Sequence, residues 1–319
     1  MKAYVYGANG AEITEVAKPS AKGAQVLVRV RACGLNRADL GMTKGHAHGS
    51  AGGAGTVLGM EWAGEIAEVG PDARGVKIGD RVMGSGGAAF AEYTLADHGR
   101  LFRTPSNMNF EEATTLPIAL TTMHNAVVTV GALQAGQAVL IQGASSGVGL
   151  MALQIAKLKG AGLVIGSSTD ATRRGRLKEF GADLAVDSSD PGWVDQVLRA
   201  TSGEGVDLIV DQISGKVASQ NLKATKVKGR IVNVGGSAVP MPISTSTCTP
   251  RAGSIISASP SAPARFRRSA RFSTKSARIS GRRWNPANCN CRSTRCLPST
   301  ISARRLNTWK PTGISARSS

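Results

Sequence analysis

The sequence predicts an α/β protein in two parts, a barrel-like antiparallel β domain followed by a doubly wound parallel sheet, with an aberrant basic stretch at the C-terminus that belongs to neither. Three observations predict this. Residues 1–120 read as short β-branched or alternating runs divided by Gly and Pro, the spacing of an antiparallel β domain. From about Gly136 the rhythm becomes apolar strand, Gly turn, helix and strand again, which argues for a parallel sheet with crossover helices. Charge is the third: of 39 Lys and Arg, 15 lie in 237–319 together with none of the 21 Asp and Glu, so the first 236 residues hold 24 basic against 21 acidic side chains. A length of 319 residues suits about two domains.

Taken in order, the strands of the first part are Gln25–Arg31, Gly64–Val69 and Arg81–Met83. Those of the second are Ala138–Gln142, Leu163–Ile165, Leu184–Val186, Leu208–Asp211 and Arg230–Val234, and Leu150–Leu158 is the clearest helix between them. A nucleic-acid protein carries its charge as a patch on the folded part, and the nearly neutral body lacks that distribution. Cys33 is the one cysteine before residue 237; it cannot build a disulfide framework, and a reducing, cytoplasmic setting follows. Its apolar surroundings in the sequence suit a packed core thiol. The N-terminus lacks an apolar signal region and the run 150–166 is broken by Lys157 and Lys159, so neither a secretion signal nor a membrane span is expected.

The strongest chemical signal is Gly143-Ala144-Ser145-Ser146-Gly147-Val148-Gly149, between an apolar strand and a helix. Backbone N–H groups and the positive helix end converge there on one point, which suits a pyrophosphate. Gly149 lets helix and strand approach closely, and Gly143 and Gly147 permit turns that a Cβ obstructs. At the end of the next strand an acid recognises a ribose 2′-hydroxyl, whereas a 2′-phosphate calls for hydroxyls and a cation. Ser167, Ser168 and Arg173 or Arg174 favour the phosphate, NADP(H), although Asp170 lies in the same stretch.

With these residues in place the body resembles the medium-chain dehydrogenase/reductase superfamily, and within it the zinc-independent quinone oxidoreductase branch. The resemblance is carried by Cys33-Gly-Leu-Asn-Arg-Ala-Asp39, Gly59-Met-Glu-Trp-Ala-Gly64, Gly79-Asp-Arg-Val82, Phe90-Ala-Glu-Tyr93, Leu116-Pro-Ile-Ala-Leu-Thr-Thr122 and the Gly143–Gly149 loop, ordered as in that family over residues 1–236. It implies a GroES-like catalytic barrel over 1–125 and a Rossmann NADP-binding domain over 126–236. It places Asn36 and Asp39 near nicotinamide and substrate, and has Thr122 and Asn233-Val234-Gly235 position the cofactor. It implies a homodimer for the in-frame protein.

The departures from zinc alcohol dehydrogenases bear on the chemistry. Where those enzymes have a Cys and a His as metal ligands this chain has Asn36 and Met60, no Cys stands near Leu116–Thr122, and Ala38 lacks their proton-relay hydroxyl. No metal is expected, because zinc needs about four N, S or O ligands. His46 and His48 line a substrate cleft, with Met60, or face solvent. Without a Lewis acid to hold an alkoxide, reduction of an already electrophilic small molecule, a quinone or an activated enone or alkenal, is the expected reaction. A short-chain reductase, whose cofactor loop is similar, is disfavoured because no Tyr-x3-Lys follows the loop and Tyr93 is the last tyrosine.

After Gly235 the resemblance stops, and Arg, Ser, Pro and Ala take over. The segment behaves as a translation in the wrong frame. Asn288–Ser302 admits codons whose reading from the third base gives LQLPIDKVFAFDDI, like the family's closing strand. The same shift from Ala264 gives SVQEVREIFDE, an amphipathic helix, and from Thr308 gives MEANRHFGKIV. One base restored before Gly236 changes Gly-Gly-Ser-Ala-Val to Gly-Arg-Leu-Gly-Gly. Loss of a single base accounts for all four places. On that account 237–319 is an out-of-frame, unstructured tail, the sixth strand of the cofactor sheet is lost, and the chain as written folds poorly or is inactive. A degenerate reductase scaffold whose basic tail binds nucleic acid or a protein partner is the alternative. Cys289, Cys291 and Cys296 lack the paired Cys-x2-Cys of a zinc motif.

Overall fold

Two compact units make up the chain in a computed structural model, which describes residues 1–46, 48 and 52–234, apart from the Lys216 side chain, and the backbone of 255–258, 278–279, 282–283 and 297–298. Met1–Thr114 and the pair Leu297–Pro298 form the first unit; the second begins at Thr115 and contains the parallel sheet.

The first unit is antiparallel. β1 (Lys2–Gly7) and β2 (Gly10–Glu15) form a hairpin, and β3 (Gln25–Gly34) pairs along one edge with β4 (Glu61–Val69), which pairs β5 (Arg81–Ser85). The other edge of β3 is shared. Its first half pairs β6 (Tyr93–Asp97) and its end pairs β16 (Leu297–Pro298), while β7 (Phe102–Arg103) closes on β5. Alternating Val26, Val28 and Val30 project into one core with Trp62, Ile66, Val82, Phe90 and Cys33, so Cys33 is a packed thiol. After β3 the chain turns into the short helix α1 (Arg37–Met42), and α2 (Phe110–Ala113) ends the unit.

In the second unit α3 (Pro117–His124) precedes β8 (Ala138–Ile141), α4 (Gly147–Leu158), β9 (Leu163–Ser167), α5 (Ala171–Gly175), β10 (Leu184–Val186), α6 (Trp193–Ala200), β11 (Val206–Asp211), α7 (Ala218–Ala224), β12 (Thr225–Asn233) and β13 (Ile255–Ala258). The sheet runs β10-β9-β8-β11-β12-β13, all parallel. This 3-2-1-4-5-6 order puts the switch point beside β8, where the crevice outside the strand ends takes ligands. Leu140, Ile165, Ile209 and Ile231 from four strands meet Trp193 and Val197 of α6 in the core. The predicted strands coincide with β8 to β12, with ends differing by a few residues.

Two expectations are corrected. The boundary falls at 114/115 rather than 125/126, because α3 packs on α4 in the second unit. The sixth strand is present: Ile255–Ala258 pairs in parallel with Arg230–Asn233, since an apolar β-branched run can fill a parallel edge through its backbone alone. Two further pieces of the tail are strands, β14 (Arg278–Ile279) paired to β15 (Arg282–Arg283).

Candidate functional site

Chemistry-bearing residues gather at two places, one in each unit. In the second, the apolar strand β8 gives way to Gln142 and the chain reverses at Gly143, whose φ of +69° is left-handed, a conformation that costs glycine little. Gly149 is required for a different reason: a Cβ there would stand 2.6 Å from the Gly143 carbonyl oxygen and 2.7 Å from the Ala144 Cα. Ser146 caps α4, its Oγ accepting the Gly149 N–H at 3.1 Å. The Gly147 and Val148 N–H groups begin the helix without intrahelical acceptors. With the helix dipole behind them they form an anion cradle. The loop of the sequence motif therefore presents backbone N–H groups at a helix end, an arrangement that fits a dinucleotide pyrophosphate.

Beside this cradle Ser168 Oγ donates to Ser145 Oγ at 3.0 Å. Arg174 donates to the Ser168 carbonyl at 2.8 Å and to Asp187 at 2.9 Å, which orients its guanidinium toward the end of β9. Arg173 is open to solvent beside Asp170, 3.7 Å away, and Asp170 itself caps α5 by accepting the Arg173 N–H. Its carboxylate is thus committed to a helix start. Ser167 is a correction. Its side chain is fully buried, accepting the Gly143 N–H at 3.1 Å and donating to Gln142 at 2.6 Å, because strand alternation turns it inward. It supports the loop from beneath and presents no hydroxyl to a 2′-phosphate. Thr122 is half-buried on α3, and its carbonyl accepts the Asn125 N–H. Asn233 donates its side-chain amide to Ser214, and the Val234 N–H donates to the Asp211 carbonyl at 2.9 Å. Gly235 lies outside the described residues.

In the first unit Asn36 starts α1. Its backbone N–H donates to Asp39 Oδ2 at 2.6 Å and its side-chain amide to Glu61 Oε2 at 3.1 Å. Asp39 is 5 % exposed, and among the described residues its Oδ1 has no hydrogen-bond partner. Burial pushes its pKa up to about 7, against the lowering effect of the Asn36 N–H. A carboxyl group near half-protonation at neutral pH can give or take a proton at that free oxygen. Glu61, 2 % exposed, was not foreseen as part of this cluster. The signal was a charged residue inside Gly59-Met-Glu-Trp-Ala-Gly64, at the start of a strand whose next three residues are apolar or Gly. Gln142 and Asp211 were likewise passed over, although each is a polar residue ending a buried strand. Met60 is half-buried and packs on the barrel core, and of the two histidines His46 is exposed and His48 half-buried.

Comparison with known proteins agrees with both halves. The family described as "Alcohol dehydrogenase GroES-like domain" matches residues 22–106, and "Zinc-binding dehydrogenase" matches 147–275. Over 225 residues, 70 % of the chain, the sequence is 32 % identical to a phenolphthiocerol/phthiocerol polyketide synthase of Mycobacterium tuberculosis (strain ATCC 25618 / H37Rv), of whose length it spans only 10 %. The crystal structure of AibC is 30 % identical and superposes with a TM-score of 0.71, covering 81 % of both chains. A quinone oxidoreductase of Pseudomonas syringae pv. Tomato DC3000 is 25 % identical with a TM-score of 0.69, again over 81 % of each chain.

The zinc named in one of those descriptions does not fit the described residues. Asn36 has its amide nitrogen turned to Glu61, Met60 offers only a thioether, and among the described residues no three His, Cys, Asp or Glu side chains come together as a metal site; zinc needs about four such donors. With a GroES-like first unit, a six-stranded Rossmann sheet, a matching glycine loop and a 30 % identical solved relative over four-fifths of both chains, the chain belongs to the medium-chain dehydrogenase/reductase superfamily.

Proposed function

We propose that this oxidoreductase is an NADPH-dependent reductase of activated acceptors, a quinone or a conjugated enone or alkenal, working without zinc. The observation that carries the reading lies in the first unit, where Asn36 and Glu61 form an amide-carboxylate pair and Asn36 also binds a buried Asp39. This pair lacks the Cys and His donors that a catalytic zinc takes, which supports an acceptor that is electrophilic before it arrives. NADPH supplies the hydride when bound.

The remaining work belongs to side chains. Gly143–Gly149 hold the pyrophosphate through backbone N–H groups and a helix end. Ser168 and Arg174, with Arg173 free to turn inward, supply a hydroxyl and cations for a 2′-phosphate. Asp39 holds a proton on Oδ1, the oxygen not occupied by the Asn36 N–H, and can release it as negative charge on the acceptor is quenched. An enoyl thioester is another acceptor activated in the same way, and it falls within the same chemistry.

The test is NADPH oxidation by the purified protein with a panel of quinones, alkenals and enoyl thioesters, with and without a strong chelator. Turnover that prefers NADPH over NADH and ignores the chelator is expected of the chain with the base before Gly236 restored. Activity lost to the chelator, or preference for an unactivated ketone, would overturn the reading. We further propose that 237–319 arises from one lost base. Resequencing the codons for Val234 to Ser237 decides this directly, and a chain with the base restored belongs in the same assay.

A further inference from the structure

Beneath the glycine loop lies a chain of buried polar groups that the reaction does not use directly. Gln142, Ser167 and Asn221 are fully buried and Asp211 is 3 % exposed. The Gly143 N–H donates to Ser167 Oγ (3.1 Å), Ser167 to Gln142 Oε1 (2.6 Å), Gln142 Nε2 to Asn221 Oδ1 (2.8 Å), and Asn221 Nδ2 to Asp211 Oδ2 (3.0 Å). Asp211 Oδ1 meanwhile accepts the N–H groups of Ile213 and Ser214 at 2.8 and 2.9 Å. All four links of the chain point one way. One end is a backbone N–H, which can only donate; the other is a carboxylate, which can only accept. The two amides between them could each be turned end for end, and it is the carboxylate that forbids it, since a turned Asn221 would set its oxygen against Asp211 Oδ2. Such a network is costly if any member is left unsatisfied.

We infer that Asp211 and Asn221 are positioning residues which, through Gln142 and Ser167, fix the Gly143 N–H and thereby the loop that holds the cofactor pyrophosphate. This rests on the reading of that loop as the NADPH cradle. The same carboxylate orders the Ile213–Ser214 turn, and Ser214 accepts from Asn233, so one buried acid sets the ends of β8, β11 and β12 together. Its polarity matters more than its presence. In Asp211→Asn an NH2 must face either the Ile213 and Ser214 N–H groups or the Asn221 NH2, and any flip that relieves this travels to Ser167. In Asn221→Asp two carboxylates face each other out of water. The exchange of both restores every link: an Asn at 211 accepts from Ile213 and Ser214 and donates to an Asp at 221, which still accepts from Gln142.

The experiment compares the full chain, both single variants and the double variant D211N/N221D by NADPH titration and by hydrogen exchange of peptides spanning 140–150 without cofactor. Each single variant should weaken NADPH binding about tenfold or more and speed exchange at Gly143, and the double variant should return to within about threefold of the parent. If a single variant fails to fold, a folded double variant is the same rescue. Single variants that bind and exchange like the parent overturn the inference, as does a double variant no better than the worse single. A parent that shows the exchange pattern but binds no NADPH removes the cofactor reading and leaves the relay standing.

Discussion

The buried carboxyl group of Asp39 makes stability depend on pH in a direction opposite to that of ordinary surface acids. Its pKa is about 7 in the folded chain against 3.8 for an unburied aspartate. The folded state therefore holds the proton more tightly than the unfolded state. That contribution is fully present below the unfolded value and is lost as pH rises through the folded one. A difference of about 3 pKa values at about 1.4 kcal/mol each gives about 4 kcal/mol over the whole range, of which about 2.5 kcal/mol falls between about pH 5 and about pH 8. Asp39→Asn removes the titration while keeping an oxygen to accept the Asn36 N–H. Urea unfolding of the first unit at both pH values, read through the fluorescence of Trp62 in its core after the other three tryptophans are changed to Phe, measures the effect. The parent should lose about 2.5 kcal/mol more than D39N on going to the higher pH. Curves for parent and variant that fall in parallel would refute the assignment of a raised pKa to this group. If Asp39 also delivers the proton, D39N loses kcat and the limb of the pH profile near neutrality.

Other outcomes follow from single contacts. Gly149→Ala forces a methyl group against the Gly143 oxygen and Ala144 Cα; it should cost about 1–3 kcal/mol and abolish tight NADPH binding, measured by melting and titration. Arg174→Ala, which also breaks the ion pair to Asp187, should raise the KM for NADPH about tenfold with little change for NADH; equal effects on both coenzymes would place the 2′-phosphate elsewhere. Trp193→Ala empties the centre of the second core and should cost about 3–5 kcal/mol, visible as an early transition of that unit in a urea titration.

Much of this fold is written in periodicity. Val26, Val28 and Val30 alternate because one face of β3 is core, and the continuous runs at 139–141 and 208–210 are apolar throughout because those strands are covered on both faces. The glycine loop was legible because a tight turn feeding a helix leaves few sequences open. What escaped was direction. Ser167 and Ser168 are neighbours with the same hydroxyl, both buried, yet one bonds inward to Gln142 and the other to Ser145 of the glycine loop, and only strand register decides which. Glu61, Gln142, Asn221 and Asp211 escaped for a related reason: buried polar residues make sense only once their partners are known, and Gln142 and Asn221 are 79 residues apart.

The strand at Ile255–Ala258 carries the hardest question, because a lost base and an ordered sixth strand look incompatible and are not. Pairing at a parallel edge is made by backbone groups, which are the same in any reading frame; the sequence need only be apolar, β-branched and free of Pro within the run. Ser254-Ile-Ile-Ser-Ala258 meets that requirement, and the edge of β12 would otherwise be open. The consequence can be tested in the chain as it stands. Alternate residues of a strand point their N–H groups to opposite sides, so changing both Ile255 and Ile256 to Pro must remove one donor facing β12 whichever phase holds. Hydrogen exchange across Arg230–Asn233, which Ile255–Ala258 pairs in register, should then quicken by about tenfold, roughly the worth of one hydrogen bond. Unchanged exchange would mean that this segment does not hold the edge in solution, and that the sheet is completed only when the reading frame is restored.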